Sequence, residues 1–67
     1  MSQENQILEY LKEHHSITQA EAVEAFGCYR LGARIYDLKQ RGIVIGRVME
    51  ESVNRYGVKV RYARYYL

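Results

Sequence analysis

The chain has 67 residues, of which 48% are hydrophobic and 27% are charged, and it contains a single Cys and no Pro or Trp. A domain of this size buries only about 60% of its extended surface on folding, which argues against an enclosed substrate pocket and so against an enzyme. The lone Cys cannot form an internal disulfide, and no apolar run approaches the roughly 20 residues that span a bilayer. We therefore expect one domain over residues 1–67, located in the cytoplasm, with no membrane partner and no small-molecule substrate.

The charges are unevenly distributed along the chain. Residues 1–28 hold one Lys and five Glu, a net charge of −4, whereas residues 29–67 hold nine Lys and Arg against three acidic residues, a net charge of +6. Seven of these nine are Arg, whose planar guanidinium can bind phosphate or guanine through two hydrogen bonds. The asymmetry predicts an anionic partner for the C-terminal part, with nucleic acid as the leading class.

The first predicted element is an amphipathic helix over about residues 4–14. Its apolar residues Ile7, Leu8 and Leu11 form one stripe, and its charged residues lie off that stripe. This pattern is typical of a helix that packs on a core with one face and exposes the other to solvent.

A second helix is predicted to begin at Gln19. Thr18 and Glu21 have the spacing of a capping box, in which each side chain accepts a hydrogen bond from the other residue's backbone N–H. Gly27 follows the apolar side of this short helix and can adopt the left-handed conformation that ends a helix. Residues 16–18, between the two helices, are expected to be extended.

A third helix is predicted over residues 29–41. Leu31, Ile35 and Leu38 recur at helical spacing, and Gly42 follows as a stop signal. The apolar stripe is narrow, which leaves a basic and partly aromatic face for solvent or a ligand. That face carries Tyr29, Arg30, Ala33, Arg34, Asp37 and Gln40.

Two β-strands follow the third helix. Residues 43–49 and 58–66 are rich in β-branched residues or Tyr, and the second stretch begins with a clear alternation of apolar and charged residues. Residues 50–57 between them are mostly polar and are predicted to form a long loop. The two strands would form an antiparallel hairpin.

This order of elements indicates a specific architecture. Two helices joined by a short turn that contains Gly form a helix-turn-helix unit, whose second helix can lie in the major groove of DNA. The hairpin would lie beside that helix as a wing. We therefore predict an α+β fold, a three-helix winged helix-turn-helix domain with a C-terminal two-stranded antiparallel β-hairpin.

Several stretches together resemble a known family. They are residues 16–22, 26–31 and 33–38, Gly42, and residues 61–65. They resemble the small winged helix-turn-helix proteins common in bacteriophages and prophages, and the resemblance covers almost the whole chain. It implies double-stranded DNA as the partner, a bacterial host cell as the location, and Arg30 and Arg34 as candidate DNA contacts. The chain departs from the family at Gly32 inside the third helix, where Gly costs about 0.5–1 kcal/mol relative to Ala. Close approach of a neighbouring element or of DNA would explain this glycine, and so would drift.

The candidate DNA contacts lie on the third helix and on the wing. On the helix, Arg30 and Arg34 are one turn apart and can reach one groove or adjacent phosphates. On the wing, polar and basic residues would contact the phosphates that flank the groove. The predicted contacts are Tyr29, Arg30, Ala33, Arg34, Asn54, Arg55, Lys59 and Arg61, with Arg47 and Arg64 as secondary candidates.

These residues also have structural alternatives. Arg34 would pair with Asp37 on a solvated helix face, and the wing charges would protect an edge strand from aggregation. For the tyrosines near the third helix, we predict that Tyr29 contacts DNA and that Tyr36 packs in the core.

No motif for catalysis or for metal or cofactor binding occurs in the sequence. Cys28 has no second Cys in a CxxC arrangement, and the adjacent His14 and His15 would diverge by about 100° on a helix. We therefore expect no enzyme activity, no metal and no cofactor.

The predicted function is sequence-dependent binding of double-stranded DNA through residues 29–41 and the basic wing, residues 43–66. The role would be that of a phage or prophage transcriptional regulator, or of a small architectural or excision-type factor. The alternative, suggested by the net charge of only +2 and the seven Tyr residues, is a phage-encoded module that binds and modulates a host protein. A homodimer stays open, because helix-turn-helix dimers are common but no heptad seam marks an interface here.

Overall fold

The fold is that of a computed structural model, which describes all residues from Met1 to Leu67. Its elements are α1 Gln3–His14, β1 Ser16–Thr18, α2 Gln19–Phe26, α3 Leu31–Gln40, β2 Gly46–Val53 and β3 Lys59–Tyr66. The strands form one antiparallel sheet in the order β1-β3-β2. The predicted α+β winged helix-turn-helix fold with a C-terminal hairpin is confirmed, and the extended segment between α1 and α2 joins the sheet as a third strand. None of the helices combines the length and the apolar character needed to cross a bilayer.

Local capping signals fix the ends of α1 and α2. Ser2 accepts a hydrogen bond from the backbone N–H of Asn5 at 3.2 Å, and so caps the start of α1. The predicted capping box of α2 is confirmed, with N–H···O distances of 2.9 and 3.2 Å between Thr18 and Glu21. Gly27 ends α2 in the left-handed conformation, at φ 65°. These signals act over three or four residues, which is why the sequence predicts them well.

One core lies between the three helices and the base of the sheet. The predicted apolar stripes of α1 and α3 both face it, and Ile17 of β1 is completely buried there. Cys28 is also buried, so the turn between α2 and α3 packs on the core through a small apolar side chain. The buried apolar residues are Ile7, Leu8, Leu11, Ile17, Ala22, Cys28, Leu31, Ile35, Leu38 and Ile45.

Helix α3 begins two residues later than the sequence predicts. Tyr29 lies in the turn, and Arg30 is the N-cap residue, with φ −130° and ψ 58°. The side chain of Arg30 makes no capping hydrogen bond. The start of α3 therefore lacks the Ser, Thr, Asp or Asn that would mark a helix boundary in a sequence.

The hairpin is longer, and its loop shorter, than the sequence predicts. Residues 50–53, for which the sequence predicts part of a loop, belong to β2 and pair with β3. Residues 43–45, for which it predicts a strand, lie outside β2. Ile45 is buried in the core whereas Val44 is exposed, so this apolar stretch connects α3 to the sheet.

Contacts across the hairpin explain why polar residues extend β2. The Nε of Arg64 donates to the carboxylate of Glu50 at 2.9 Å, and the Nε of Arg61 lies 3.9 Å from the carboxylate of Glu51. Opposite charges on adjacent strands contribute about 0.2–1 kcal/mol per pair. The partners are ten or more residues apart in the chain, so the sequence does not reveal these pairs. A polar stretch that the sequence suggests is a loop therefore forms a strand in the fold.

A tight turn over residues 54–57 closes the hairpin. The side-chain oxygen of Asn54 accepts hydrogen bonds from the backbone N–H groups of Tyr56 at 3.0 Å and Val58 at 3.1 Å. Gly57 has a φ of 76°, a conformation that glycine adopts without strain. The tip of the wing is therefore held by a defined turn.

Arg64 on β3 connects the sheet to the start of α2. Besides Glu50, its guanidinium contacts the hydroxyl of Ser16 at 3.1 Å and the carboxylate of Glu21 at 3.4 Å. The hydrogen bond with Glu50 raises the pKa of Arg64 above its usual value. The same Glu21 carboxylate completes the capping box of α2, so one network joins β1, α2 and both strands of the hairpin.

Candidate nucleic-acid interface

The side chain of Gln19 holds the turn of the helix-turn-helix unit. Its Nε2 donates to the backbone carbonyl of Cys28 at 2.6 Å, and its Oε1 accepts from the backbone N–H of Leu31 at 2.9 Å. The second hydrogen bond provides the cap that Arg30 does not supply. Gln19, at the first position of α2, thus sets where α3 begins. Only the position of Gln19 after the capping residue Thr18 could have suggested this role, and that signal is weak.

The turn before α3 presents two predicted DNA contacts to solvent. Tyr29 is 77% exposed, and Arg30 is exposed without an acidic partner. Ala33, also predicted as a contact, is partly buried one turn after Arg30. Tyr29 and Arg30 are therefore free to reach a ligand from the beginning of α3.

The most exposed side of α3 carries residues that the sequence prediction did not include. Gly32, Tyr36 and Lys39 lie in one row at helical spacing, and all three are exposed. The prediction that Tyr36 packs in the core is wrong, because it lies about 100° around the helix from the buried Ile35. Its exposed fraction is 62%.

Arg34 lies on a different flank of α3. Its Nη2 is 3.2 Å from the carboxylate of Asp37, one turn later, so the ion pair that the sequence also suggests is present. Its Nε is buried and has no hydrogen-bond partner. Arg34 is therefore less available to an outside ligand than Arg30, although its unpaired Nε leaves one donor unused.

A groove separates the exposed row of α3 from the sheet. It has a volume of about 370 Å³. The hydroxyl of Tyr65 lies 3.7 Å from the place that a Cβ at position 32 would occupy, which is an ordinary contact distance. Packing inside the protein therefore does not require glycine at this position. The groove is lined by Gly32, Ile35, Tyr36, Lys39, Arg47 and Tyr65.

Half of the basic side chains have no acidic partner. Five of the ten Lys and Arg residues are in ion pairs with carboxylates, namely Lys12, Arg34, Arg41, Arg61 and Arg64. The other five have no carboxylate oxygen within 4.0 Å. These are Arg30, Lys39, Arg47, Arg55 and Lys59. All five lie at the start of α3, on α3 itself or on the hairpin.

The strand register places the wing cations on the side of the sheet that faces α3. Arg47 is paired with Tyr65, whose hydroxyl approaches α3 at Gly32. Lys59 and Arg61 share this face, because alternate residues of a strand point to the same side. Arg55 lies at the exposed tip of the wing. Three unpaired cations, Lys39 of α3 and Arg47 and Lys59 of the hairpin, therefore lie on the same side of the sheet.

The wing projects away from the body of the molecule. Every residue from Glu51 to Arg61 is exposed, and the longest dimension of the molecule is 39 Å against 22 and 20 Å for the other two. The predicted contact Asn54 lies at this tip, where its side-chain oxygen is used within the turn and its amide nitrogen is not. A protruding arm with free cations is suited to reach along a neighbouring polyanion.

Comparison with known proteins agrees with this geometry. A search of curated proteins and a search of solved structures each gave no match to the chain. A family model described as a winged helix-turn-helix domain matches residues 2–67. Domains of this kind bind DNA, with the second helix of the helix-turn-helix unit as the reading element, and they are typically non-catalytic. The match covers almost the whole chain, and the protein belongs to the winged helix-turn-helix domain family.

Proposed function

We propose that the protein binds double-stranded DNA in a sequence-dependent manner, with α3 in the major groove and the wing on the flanking backbone. The observation that carries the proposal is the position of the unpaired cations. All five lie at the start of α3, on α3 or on the hairpin, whereas Lys12 of α1, Arg41 after α3 and Arg64 of β3 are in ion pairs with carboxylates. Unpaired Lys and Arg supply the electrostatic part of binding, because they release counterions from the phosphates.

Within this proposal, the start of α3 reads the bases. Arg30 can donate two hydrogen bonds to a guanine edge, and the neighbouring Tyr29 and Ala33 can contact bases or sugars. Tyr36 belongs to the same set because of its exposure, although the sequence alone suggested a core position. Arg34 adds a backbone contact when DNA competes with Asp37 for its guanidinium.

Lys39 and Arg47 bind phosphate in the proposed complex. They line the same groove between α3 and the sheet, and neither has an acidic partner. A DNA strand that runs along the edge of the major groove passes beside α3, where two cations on different elements can hold one stretch of backbone.

The wing adds contacts on the next part of the backbone. Lys59 and Arg55 are free, and Asn54 retains an amide donor at the tip. Arg61 is 3.9 Å from Glu51 in an exposed pair, which contributes little and can be exchanged for a phosphate. The wing residues therefore strengthen binding to any sequence, while α3 distinguishes between sequences.

The biological role that fits such a small domain is that of a transcriptional regulator or of a small architectural or excision-type factor. The resemblance of the sequence to phage and prophage proteins supports a phage or prophage context in a bacterial host cell. Binding to DNA is common to all of these roles, so it is the property to test first.

Fluorescence anisotropy with labelled duplexes tests the proposal directly. We expect micromolar or tighter binding to random duplex at low salt, and a preference for a duplex from the gene's own neighbourhood that persists at physiological salt. Arg30→Ala should lose about 1–3 kcal/mol on the preferred duplex and much less on random DNA. Lys12→Ala, which removes a paired cation of α1, is the matched control and should bind like the unchanged protein. Equal affinity of Arg30→Ala and the control for every duplex would contradict this docking.

Exposed apolar side chains near the tip of the wing support a second candidate function. Tyr56 is 80% exposed, and Val53 and Val58 are 60% and 57% exposed. Exposed apolar and aromatic residues are typical of protein interfaces, so the wing could bind a host protein. Recovery of a partner from host lysate after nuclease treatment and at moderate salt, lost in Tyr56→Ala, supports this function. Recovery of DNA-dependent partners alone contradicts it.

A further inference from the structure

The sheet has one long unpaired edge. In the order β1-β3-β2, the outer side of β2 has no partner strand, and β2 is eight residues long. No helix or loop covers this edge, since six of these eight residues are exposed. An open edge of this kind presents free backbone N–H and C=O groups that can pair with another strand.

The hydrogen-bond pattern shows which backbone groups face outward. Asn54 donates to the carbonyl of its opposite residue Val58 at 3.0 Å, so the even-numbered residues before Asn54 form the hydrogen-bonded pairs with β3. The N–H and C=O groups of the odd-numbered residues Arg47, Met49 and Glu51 therefore point to the free edge. Their side chains all lie on one face of the sheet.

We propose that β2 pairs antiparallel with β2 of a second copy of the chain, around a two-fold axis at Met49. In this register, Arg47 of each copy lies opposite Glu51 of the other. Two pairs of opposite charges thus flank a central pair of methionines. Arg47 has no acidic partner within its own chain, and Glu51 has only the exposed contact of 3.9 Å with Arg61. Because Arg47 and Glu51 are both exposed, their pair is weak, and Arg47 can exchange the carboxylate for a phosphate when DNA binds.

The charges select this register over its neighbours. An axis at Arg47 places two Arg side chains opposite each other, and an axis at Glu50 or Glu51 places two Glu side chains opposite each other, which is unfavourable. An axis at Val48 places Arg47 opposite a methionine and forms no charge pair. Among the registers centred on residues 47–51, the one at Met49 alone pairs opposite charges.

The proposed dimer places both α3 helices on the same side of the joined sheet. A two-fold axis between antiparallel strands is perpendicular to the sheet, so both copies keep the same face on the same side. The two α3 helices therefore lie on one side of a continuous six-stranded sheet, where they could contact two half-sites of one duplex. Pairing also covers Val48 and Met49, which are 45% and 47% exposed in the single chain. The dimer depends on β2 alone, so it can be tested without DNA.

Analytical ultracentrifugation of the full chain without DNA tests the dimer. We expect the mass to rise from 7.9 kDa to twice that value as the concentration increases into the millimolar range. Arg47→Glu and Glu51→Arg should each raise the dimer dissociation constant about tenfold or more, because each creates two like-charge pairs per dimer. The double variant R47E/E51R should restore the dimer. Arg55→Glu, the same charge change at the wing tip, is the control and should dimerise normally.

A mass that stays at 7.9 kDa over the whole range would overturn the proposal, and so would a double variant that dimerises no better than the single variants.

Cysteine crosslinking tests the register independently. In Met49→Cys, the facing Cα atoms would lie about 5.5 Å apart, within the range for a disulfide. Oxidation should therefore crosslink Met49→Cys and leave Val53→Cys, which has no symmetric partner, uncrosslinked, while the buried Cys28 does not react. Equal crosslinking of both variants contradicts an axis at Met49.

Discussion

At the scale of single residues, Gln19 connects the fold to the function. Its two hydrogen bonds, of 2.6 and 2.9 Å, join the first turn of α2 to both sides of the turn that precedes α3. Gln19 therefore fixes the start of α3, while the buried Leu31, Ile35 and Leu38 hold the helix against the core. Beyond its position after the capping residue Thr18, nothing in the sequence singles out this residue, because its partners Cys28 and Leu31 are nine and twelve positions away.

We expect Gln19→Ala to destabilise the protein by about 1–3 kcal/mol, because the carbonyl of Cys28 and the N–H of Leu31 are left without partners in a partly buried turn. For a domain of this size, each kcal/mol corresponds to a shift in melting temperature of about 4–8 °C. Thermal unfolding followed by circular dichroism measures the effect. Gln40→Ala, at the exposed end of α3, is the control and should melt within about 0.5 kcal/mol of the unchanged protein. If both variants melt alike, Gln19 does not hold the turn.

At the scale of elements, the helices could be predicted from the sequence and the sheet only in part. Each helix carries an apolar stripe at helical spacing, and α1 and α2 have caps within their own first turn. The pairing of β1 with β3 joins residues as far as fifty positions apart, as for Ser16 and Tyr66, so no local signal reveals it. The exposure of Tyr36 was likewise mispredicted, since an aromatic residue next to an apolar stripe suits either the core or the surface.

The turn at Asn54 keeps the tip of the wing folded. In Asn54→Ala, the hydrogen bonds to Tyr56 and Val58 are lost, and we expect the tip of the hairpin to fray while the helices stay folded. Amide hydrogen exchange followed by NMR measures this locally. The amide of Val60, which is opposite Ser52 in a hydrogen-bonded pair, should exchange at least severalfold faster, and those of α1 should be unchanged. Ser52→Ala, on the same strand, is the matched control.

An Asn54→Ala variant with unaltered exchange across the hairpin would show that the long strand pairing holds the tip without the turn. In that case the register of the eight paired positions, from Gly46 to Val53, is sufficient to order the wing.

At the scale of the whole molecule, charge is divided between two regions. The first 28 residues carry a net charge of −4 and the remainder carry +6, which the sequence shows directly. The structure adds that the basic residues near α1 and α2 are neutralised by carboxylates, whereas α3 and the wing hold every unpaired cation. Which cations are free could not be predicted, because pairs such as Arg41 with Glu4 join residues 37 positions apart. The result is a polarised molecule that would approach DNA with α3 and the wing first.

The most direct test of this account is the salt dependence of DNA binding for the unchanged protein and for the double variant K39A/R47A, measured by fluorescence anisotropy on random duplex. If both cations bind phosphate, the slope of log affinity against log salt should fall by about 1 for each cation removed. The control variant Lys12→Ala should keep the slope of the unchanged protein. A slope that is the same in all three proteins, or no binding at low salt, would contradict the assignment of α3 and the wing as the DNA-binding surface.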